Sequence, residues 1–302
     1  MAEHGNPFDP AHLIGHVKDA PYFEVPRAFA SDGKAEIPQF RNTSEPIATI
    51  KTGFEPVDQL IEPFDGKITK FMVLEVVGAL IVAVIFIWLA QKISSGRKPR
   101  GRLWNLFETM LLFIRDEVAR PAIGHHDADR FLPVLWTMFF FVLICNLLGM
   151  VPWAGSPTGA LATTGAMAII TFLVVIGGGM SKMGVVGFWA GQVPHMDLPL
   201  PLAIILKPMI FVLEVVGLLI RHFVLAVRLL ANMMAGHLVL AVLVAFVAAV
   251  AKFGLAALLG VGAVSIFGAM ALSLLELFVA FLQAYIFTFL SALFIGMAVH
   301  PH

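Results

Sequence analysis

Apolar positions in this 302-residue chain fall into five long runs, preceded by a polar stretch over residues 1–69. The first run, 70–91, has about the ~20 residues that an upright helix needs to cross a hydrocarbon core. Runs at 131–152 and 161–181 are of similar length, and the turn chemistry of Pro152-Trp-Ala-Gly-Ser-Pro157-Thr-Gly between them predicts a helical hairpin. Residues 102–122 follow another pattern. Leu103, Leu106, Phe107, Met110, Leu111 and Ile114 recur at helical spacing, with Asn105, Glu108, Arg115 and Asp116 on other faces. That pattern predicts an amphipathic helix lying in the interface, ended by Pro121-Ala-Ile-Gly124. The last two runs, 201–253 and 263–299, are longer than one upright crossing requires. Hydropathy alone favours two spans in the first of them, yet no turn signal divides it between Pro208 and Gly254. One long, strongly tilted helix is the alternative.

The expected architecture is therefore all-α and polytopic. The membrane domain covers 70–302, and residues 1–69 form a separate Pro-containing extension. That extension lacks the charged-then-apolar start of a signal peptide and reads as irregular, with short helices around 12–17 and 57–61. Lys92, Arg97, Lys98, Arg100 and Arg102 follow the first run without an acidic neighbour, so this flank is expected in the cytoplasm. The extension is then expected on the periplasmic side.

Composition sharpens the class. The chain is 59% hydrophobic and 13% charged, where soluble domains carry about a quarter charged residues. A formal net charge of zero argues against a nucleic-acid partner. The one cysteine, Cys145, excludes an intrachain disulfide and a thiolate metal cluster. Neither a Walker-type loop nor an HExxH sequence is present, so the chain is expected to carry no catalytic chemistry of its own, no cofactor and no metal. His12 with His16, and His125, His126, Asp127 and Asp129, are metal-capable spacings that read more simply as solvated groups.

The candidate chemistry lies in the last two runs. Arg228 sits inside apolar sequence, and a guanidinium does not shed its proton there. Near mid-bilayer it costs between ~3 and more than 10 kcal/mol, depending on the scale. At 100° per residue, Glu214, Arg221, Arg228 and Asn232 fall within roughly 40° of one another. A Glu214–Arg221 ion pair would merely fix packing. Arg228 has no acidic residue within a turn, so its counter-charge must come from another helix or another chain. Glu276 and Gln283, seven apart, share one face of the last run. If the two runs are antiparallel with Arg228 level with Gln283, His237 falls within ~3 Å of the level of Glu276. A His and a Glu at one depth suit a proton path. Asn146, in the second run, either hydrogen-bonds a neighbouring helix or lines that path.

These residues resemble the a subunit of the F-type ATP synthase. Arg228-Leu-Leu-Ala-Asn232-Met-Met-Ala-Gly236-His237 is similar to that family's essential-arginine helix, and Leu282-Gln-Ala-Tyr-Ile-Phe287 to its last helix. Phe139–Pro152 and Pro208–Glu214 also fit, and the likeness covers roughly residues 65–300. The resemblance implies a component of a proton-transporting two-sector ATP synthase in the bacterial inner membrane. Its implied partners are the c-ring, the peripheral-stalk b subunits, the remaining subunits and lipid. It implies two single tilted helices for the overlong runs, and so five crossings with a cytoplasmic C-terminus. Arg228 would separate two half-channels, with His237, Glu276, Gln283, Asn232, Glu214 and Asn146 on the proton path. The His237/Glu276 arrangement resembles mitochondrial and alphaproteobacterial members, where other bacteria exchange the two residue types. Two other classes compete. A secondary transporter would show inverted repeats, which the chain lacks; a purely structural scaffold would leave Arg228, Glu276 and Gln283 unexplained.

Overall fold

The computed structural model describes residues 19–24, 34–39, 67–94, 101–151, 155–193, 200–250 and 254–299. The expected short helices at 12–17 and 57–61, His12 and His16, residues 152–154 of the turn, and the basic Arg97, Lys98 and Arg100 lie outside them. Strands β1 (Tyr22–Glu24) and β2 (Lys34–Glu36) pair antiparallel within the extension. The helices are α1 (Lys70–Ser94), α2 (Arg102–Phe113), α3 (Arg120–Ile123), α4 (Ala128–Gly149), α5 (Leu161–Gly191), α6 (Leu200–Val250) and α7 (Leu255–Val299). The protein is thus all-α in its membrane part, with five membrane-spanning helices (α1, α4, α5, α6 and α7) and the shorter α2, which does not span.

Several boundaries have local causes. The fourth run is one 51-residue helix that passes through Pro208, and at 1.5 Å per residue it extends ~77 Å. Its continuity decides between the two readings in favour of one helix. A π-helical turn, Ile114–Ala119, joins α2 to α3. Pro121 then sits in the first turn of α3, where its missing N–H costs nothing. Gly124, at φ 97, ends the helix. α5 continues past the expected end at 181 through Gly184, whose φ of 76 marks a break between two helical pieces.

The chain divides into two units, and the long helices each contribute to both. The first contains Met1–Ile81, Val142–Thr164 and Arg228–Gln283. Here the extension grips the start of α1. Asp19 Oδ1 accepts the Phe71 N–H at 3.2 Å, capping an orphan donor of the first turn. The Gln39 amide donates to the Ile68 carbonyl and accepts the Ile68 N–H, both at 2.9 Å. Close packing of α1 on α4 relies on Gly78, where a Cβ would stand 3.2 Å from Cys145 Sγ.

The second unit contains Val82–Phe141, Gly165–Val227 and Ala284–His302. Phe86 packs edge-on against Phe140, and Trp88 against Trp104. The Trp136 indole donates to the Leu111 carbonyl at 3.1 Å, just before the π turn interrupts the regular ladder. Lys182 pairs with Asp127 and Arg130 donates to Ser181, tying α5 to the start of α4. Asp116 accepts from Arg115 and, at 2.7 Å, from Arg120. The Arg115 hydrogen bond, with further help from Arg120, holds the Asp116 carboxyl below the usual aspartate value. Gly296 is the tightest contact: a Cβ there would stand 2.0 Å from the Ala122 carbonyl oxygen, so α7 and α3 meet backbone to backbone.

Candidate functional site

Within the first unit, α6 and α7 run antiparallel, and their polar residues fix the register. Asn232 Nδ2 donates to Gln283 Oε1 at 2.8 Å. His237 Nδ1 lies 3.8 Å from Glu276 Oε1. Five residues along one helix and seven along the other separate the two contacts, ~7.5 and ~10.5 Å of rise, so both pairs sit at matched depth. The partner of Gln283 is Asn232, one turn on from the Arg228 level supposed from the sequence. Arg228 therefore stands ~6 Å along α6 from the Asn232–Gln283 pair.

Gly236 explains how Glu276 comes so close. A Cβ at that position would lie 2.9 Å from Glu276 Oε1, so the carboxylate rests against bare helix backbone. The sequence carried this residue only as part of a motif. Its local signal is a glycine inside an otherwise unbroken helical run, where it has a cost unless something needs the space.

The two pairs are incompletely satisfied. Glu276 is 9% exposed and Gln283 2%. Glu276 Oε1, His237 Nε2 and Gln283 Nε2 are buried and have no hydrogen-bond partner among the described residues. At 3.8 Å the His237–Glu276 contact is in ion-pair range yet too long for a hydrogen bond. Buried polar atoms in that condition normally find water.

Asn146, fully buried, does bond a neighbouring helix: its Nδ2 donates to the Ala280 carbonyl at 3.3 Å, one turn from Glu276. Its Oδ1 accepts from Thr158 at 2.8 Å, and Thr158 is hydrogen-bonded to Ser156 at 2.9 Å. The sequence marked Ser156 and Thr158 only as turn residues, because nothing in one dimension brings them to α4. A second buried polar contact was also missed. Thr163 of α5 donates to Glu75 of α1.

Arg228 is half-buried and makes no ion pair or hydrogen bond among the described residues. Glu214 and Arg221 belong to the second unit, with Nη2 and Oε2 3.7 Å apart and both side chains substantially exposed. His222 is enclosed between Phe172 and Phe294, with Nδ1 2.8 Å from the Leu218 carbonyl. No metal-capable cluster of three ligands occurs among the described residues, including the loop of His125, His126, Asp127 and Asp129.

Fold and site together define an integral membrane protein whose buried ionisable pair lies between two long antiparallel helices. Residues 72–296 match the family described as ATP synthase A chain, and the protein belongs to that family. It is 40% identical over 300 residues to ATP synthase subunit a of Myxococcus xanthus, covering 94% of this chain and 92% of that one. Subunit a of Chloroherpeton thalassium is 41% identical over 243 residues, 78% of this chain and 68% of its own. For ATP synthase subunit a 2 of Chlorobaculum tepidum the values are 39% over 256 residues, 81% and 68%.

Proposed function

We propose that this chain is the proton-translocating stator subunit of an F-type ATP synthase, with its N-terminal extension in the periplasm and its C-terminus in the cytoplasm. Protons enter from the periplasmic side through an aqueous half-channel lined by His237, Glu276, Asn232 and Gln283, with Asn146 bracing it. The buried polar atoms of His237, Glu276 and Gln283 that lack a partner among the described residues support a hydrated path. Each proton neutralises a carboxylate on a c subunit, which then rotates into lipid uncharged; a charged group would be barred by desolvation. After nearly a full turn the carboxylate meets a second half-channel open to the cytoplasm, which we assign to Glu214, and releases its proton.

Arg228 carries this reading, because no group among the described residues neutralises it. A permanently charged guanidinium one turn from the inlet residues favours the ionised carboxylates brought past by the rotor and repels protons moving straight across. Each proton carries ~2.3 kcal/mol per 100 mV, which direct leakage would dissipate. Lysine is a poor substitute, since a buried amine can lose its charge. The long helices also expose broad apolar faces: 17% of the most apolar window of each is buried within the chain, against 56% for α4. Those faces suit the c-ring and lipid, with the b subunits and the remaining complex around them. His237 with Glu276 resembles the mitochondrial and alphaproteobacterial arrangement, and their 3.8 Å separation supports reading the two positions as a pair.

Arg228→Ala is expected to abolish proton-driven ATP synthesis by the intact complex in reconstituted vesicles. Retained coupled synthesis would falsify the assignment.

A further inference from the structure

The first helix also carries a carboxyl group inside the membrane part. Glu75 lies five residues into α1, ~7.5 Å along its axis, and is half-buried. The Thr163 hydroxyl donates to it from α5. Thr164, Thr288 and Ser291 turn their hydroxyls back to carbonyls of their own helices, whereas Thr163, 6% exposed, like Thr158 reaches across to another element.

Other polar groups lie in the same unit as Glu75. Asp19 caps α1 from the extension, accepting the Phe71 N–H four residues before Glu75. Lys70, 2% exposed, begins the same helix, and a Cβ at Gly155 would lie 3.5 Å from its Nζ. Cys145 on α4 packs against Gly78, three residues along α1 from Glu75. Asn146, next to Cys145 in α4, bonds Thr158 of the turn leading into α5, and bonds the Ala280 carbonyl one turn from Glu276. A carboxyl, a buried ammonium and a hydroxyl thus share one unit of the chain with these contacts and with the His237–Glu276 pair.

We propose that Glu75, held by Thr163, is a proton-binding station in the outer part of the inlet path, ahead of His237 and Glu276. The assignment rests on the half-channel reading above. A proton taken up from the aqueous side resides on the Glu75 carboxyl and passes inward through water to His237–Glu276, after which Glu75 is again a carboxylate. Thr163 keeps the carboxyl turned into the helix interface in both states, since a hydroxyl can donate to the ionised form and accept from the protonated one.

The alternative is that Glu75–Thr163 only braces α1 against α5. Glu75→Gln separates the two, because the amide oxygen still accepts from Thr163 but binds no proton. In intact complexes reconstituted into vesicles, passive proton flux and its dependence on inlet-side pH are measured. Glu75→Gln is expected to lower flux on the order of tenfold or more and to flatten that pH dependence. Glu75→Asp should restore part of both. Thr163→Val, which leaves the carboxyl in place, should shift the midpoint of the profile; this reading is available even if Glu75→Gln does not assemble. Wild-type flux and profile in Glu75→Gln, or an unmoved midpoint in Thr163→Val, overturns the proposal. Arg228→Ala run alongside keeps the two levels apart. Loss of coupling there with normal Glu75→Gln overturns Glu75 alone, while retained coupling overturns the half-channel reading with it.

Discussion

Gly236→Ala sets stability and function against each other. A methyl at this position would lie 2.9 Å from Glu276 Oε1 and 3.3 Å from Cδ, inside the 3.4 Å at which ordinary contact begins. The carboxylate must retreat by about 0.5 Å. Where the whole of that shift lies along the line from His237, the pair opens from 3.8 Å to about 4.3 Å. At an effective dielectric of ~20, a charged pair loses about 0.5 kcal/mol over that change, a factor of two to three in the relative population of its proton states. The obstructing atom is the end of a flexible side chain, so the fold adapts easily. Replacing glycine by alanine in a helix meanwhile gains about 0.5–1 kcal/mol. The expected result is a complex that melts at the same temperature or slightly higher, yet conducts protons about two- to threefold more slowly. Thermal unfolding in detergent and dye-reported proton flux in vesicles measure the two sides. Unchanged flux in a fully assembled Gly236→Ala complex would refute the idea that the glycine exists to seat Glu276.

Two further outcomes concern the fold. Gly296→Ala brings a Cβ to 2.0 Å from the Ala122 carbonyl oxygen, and neither partner is a movable side chain. A loss of about 1–3 kcal/mol or more is expected, read as a lower unfolding temperature and reduced assembly. Asp116 is stabilised in its ionised form by the hydrogen bond from Arg115 and by Arg120. Its folded carboxyl therefore titrates below its unfolded one. The contribution is full above the unfolded value of about 3.9 and is lost as pH falls through the folded one. Asp116→Asn should flatten this part of the acid limb of stability in detergent, leaving stability near neutral pH with little pH dependence from this site.

The spans and the amphipathic α2 were legible because burial in lipid and at an interface leaves direct marks on residue order. The fourth run was harder. Its length suggested two crossings, and only the lack of turn residues hinted at a single helix; Pro208 leaves that helix unbroken. Pairing between helices left almost no linear trace. His237 and Glu276 could be set at one depth from spacing alone, but that Asn232 and not Arg228 faces Gln283 depends on how two rods slide past each other. Thr158 on Asn146 and Thr163 on Glu75 depend on the turn into α5, which hydropathy reads only as a break. The β1–β2 hairpin is three residues per strand, too short for alternation to register.

The junction at Gly296 has a mechanical side. Side-chain contacts yield when pushed, because rotamers change at modest cost; two backbones in contact have no such slack. The end of α7 and the short helix at Ala122 are therefore one stiff joint within the second unit. A stator must withstand a sideways load each time the rotor advances. In the half-channel reading proposed above, a compliant joint would let α7 follow the moving surface and waste part of each step. Backbone contact instead ties the end of α7 to α3, so a single missing methyl group serves rigidity where glycine is usually associated with the opposite.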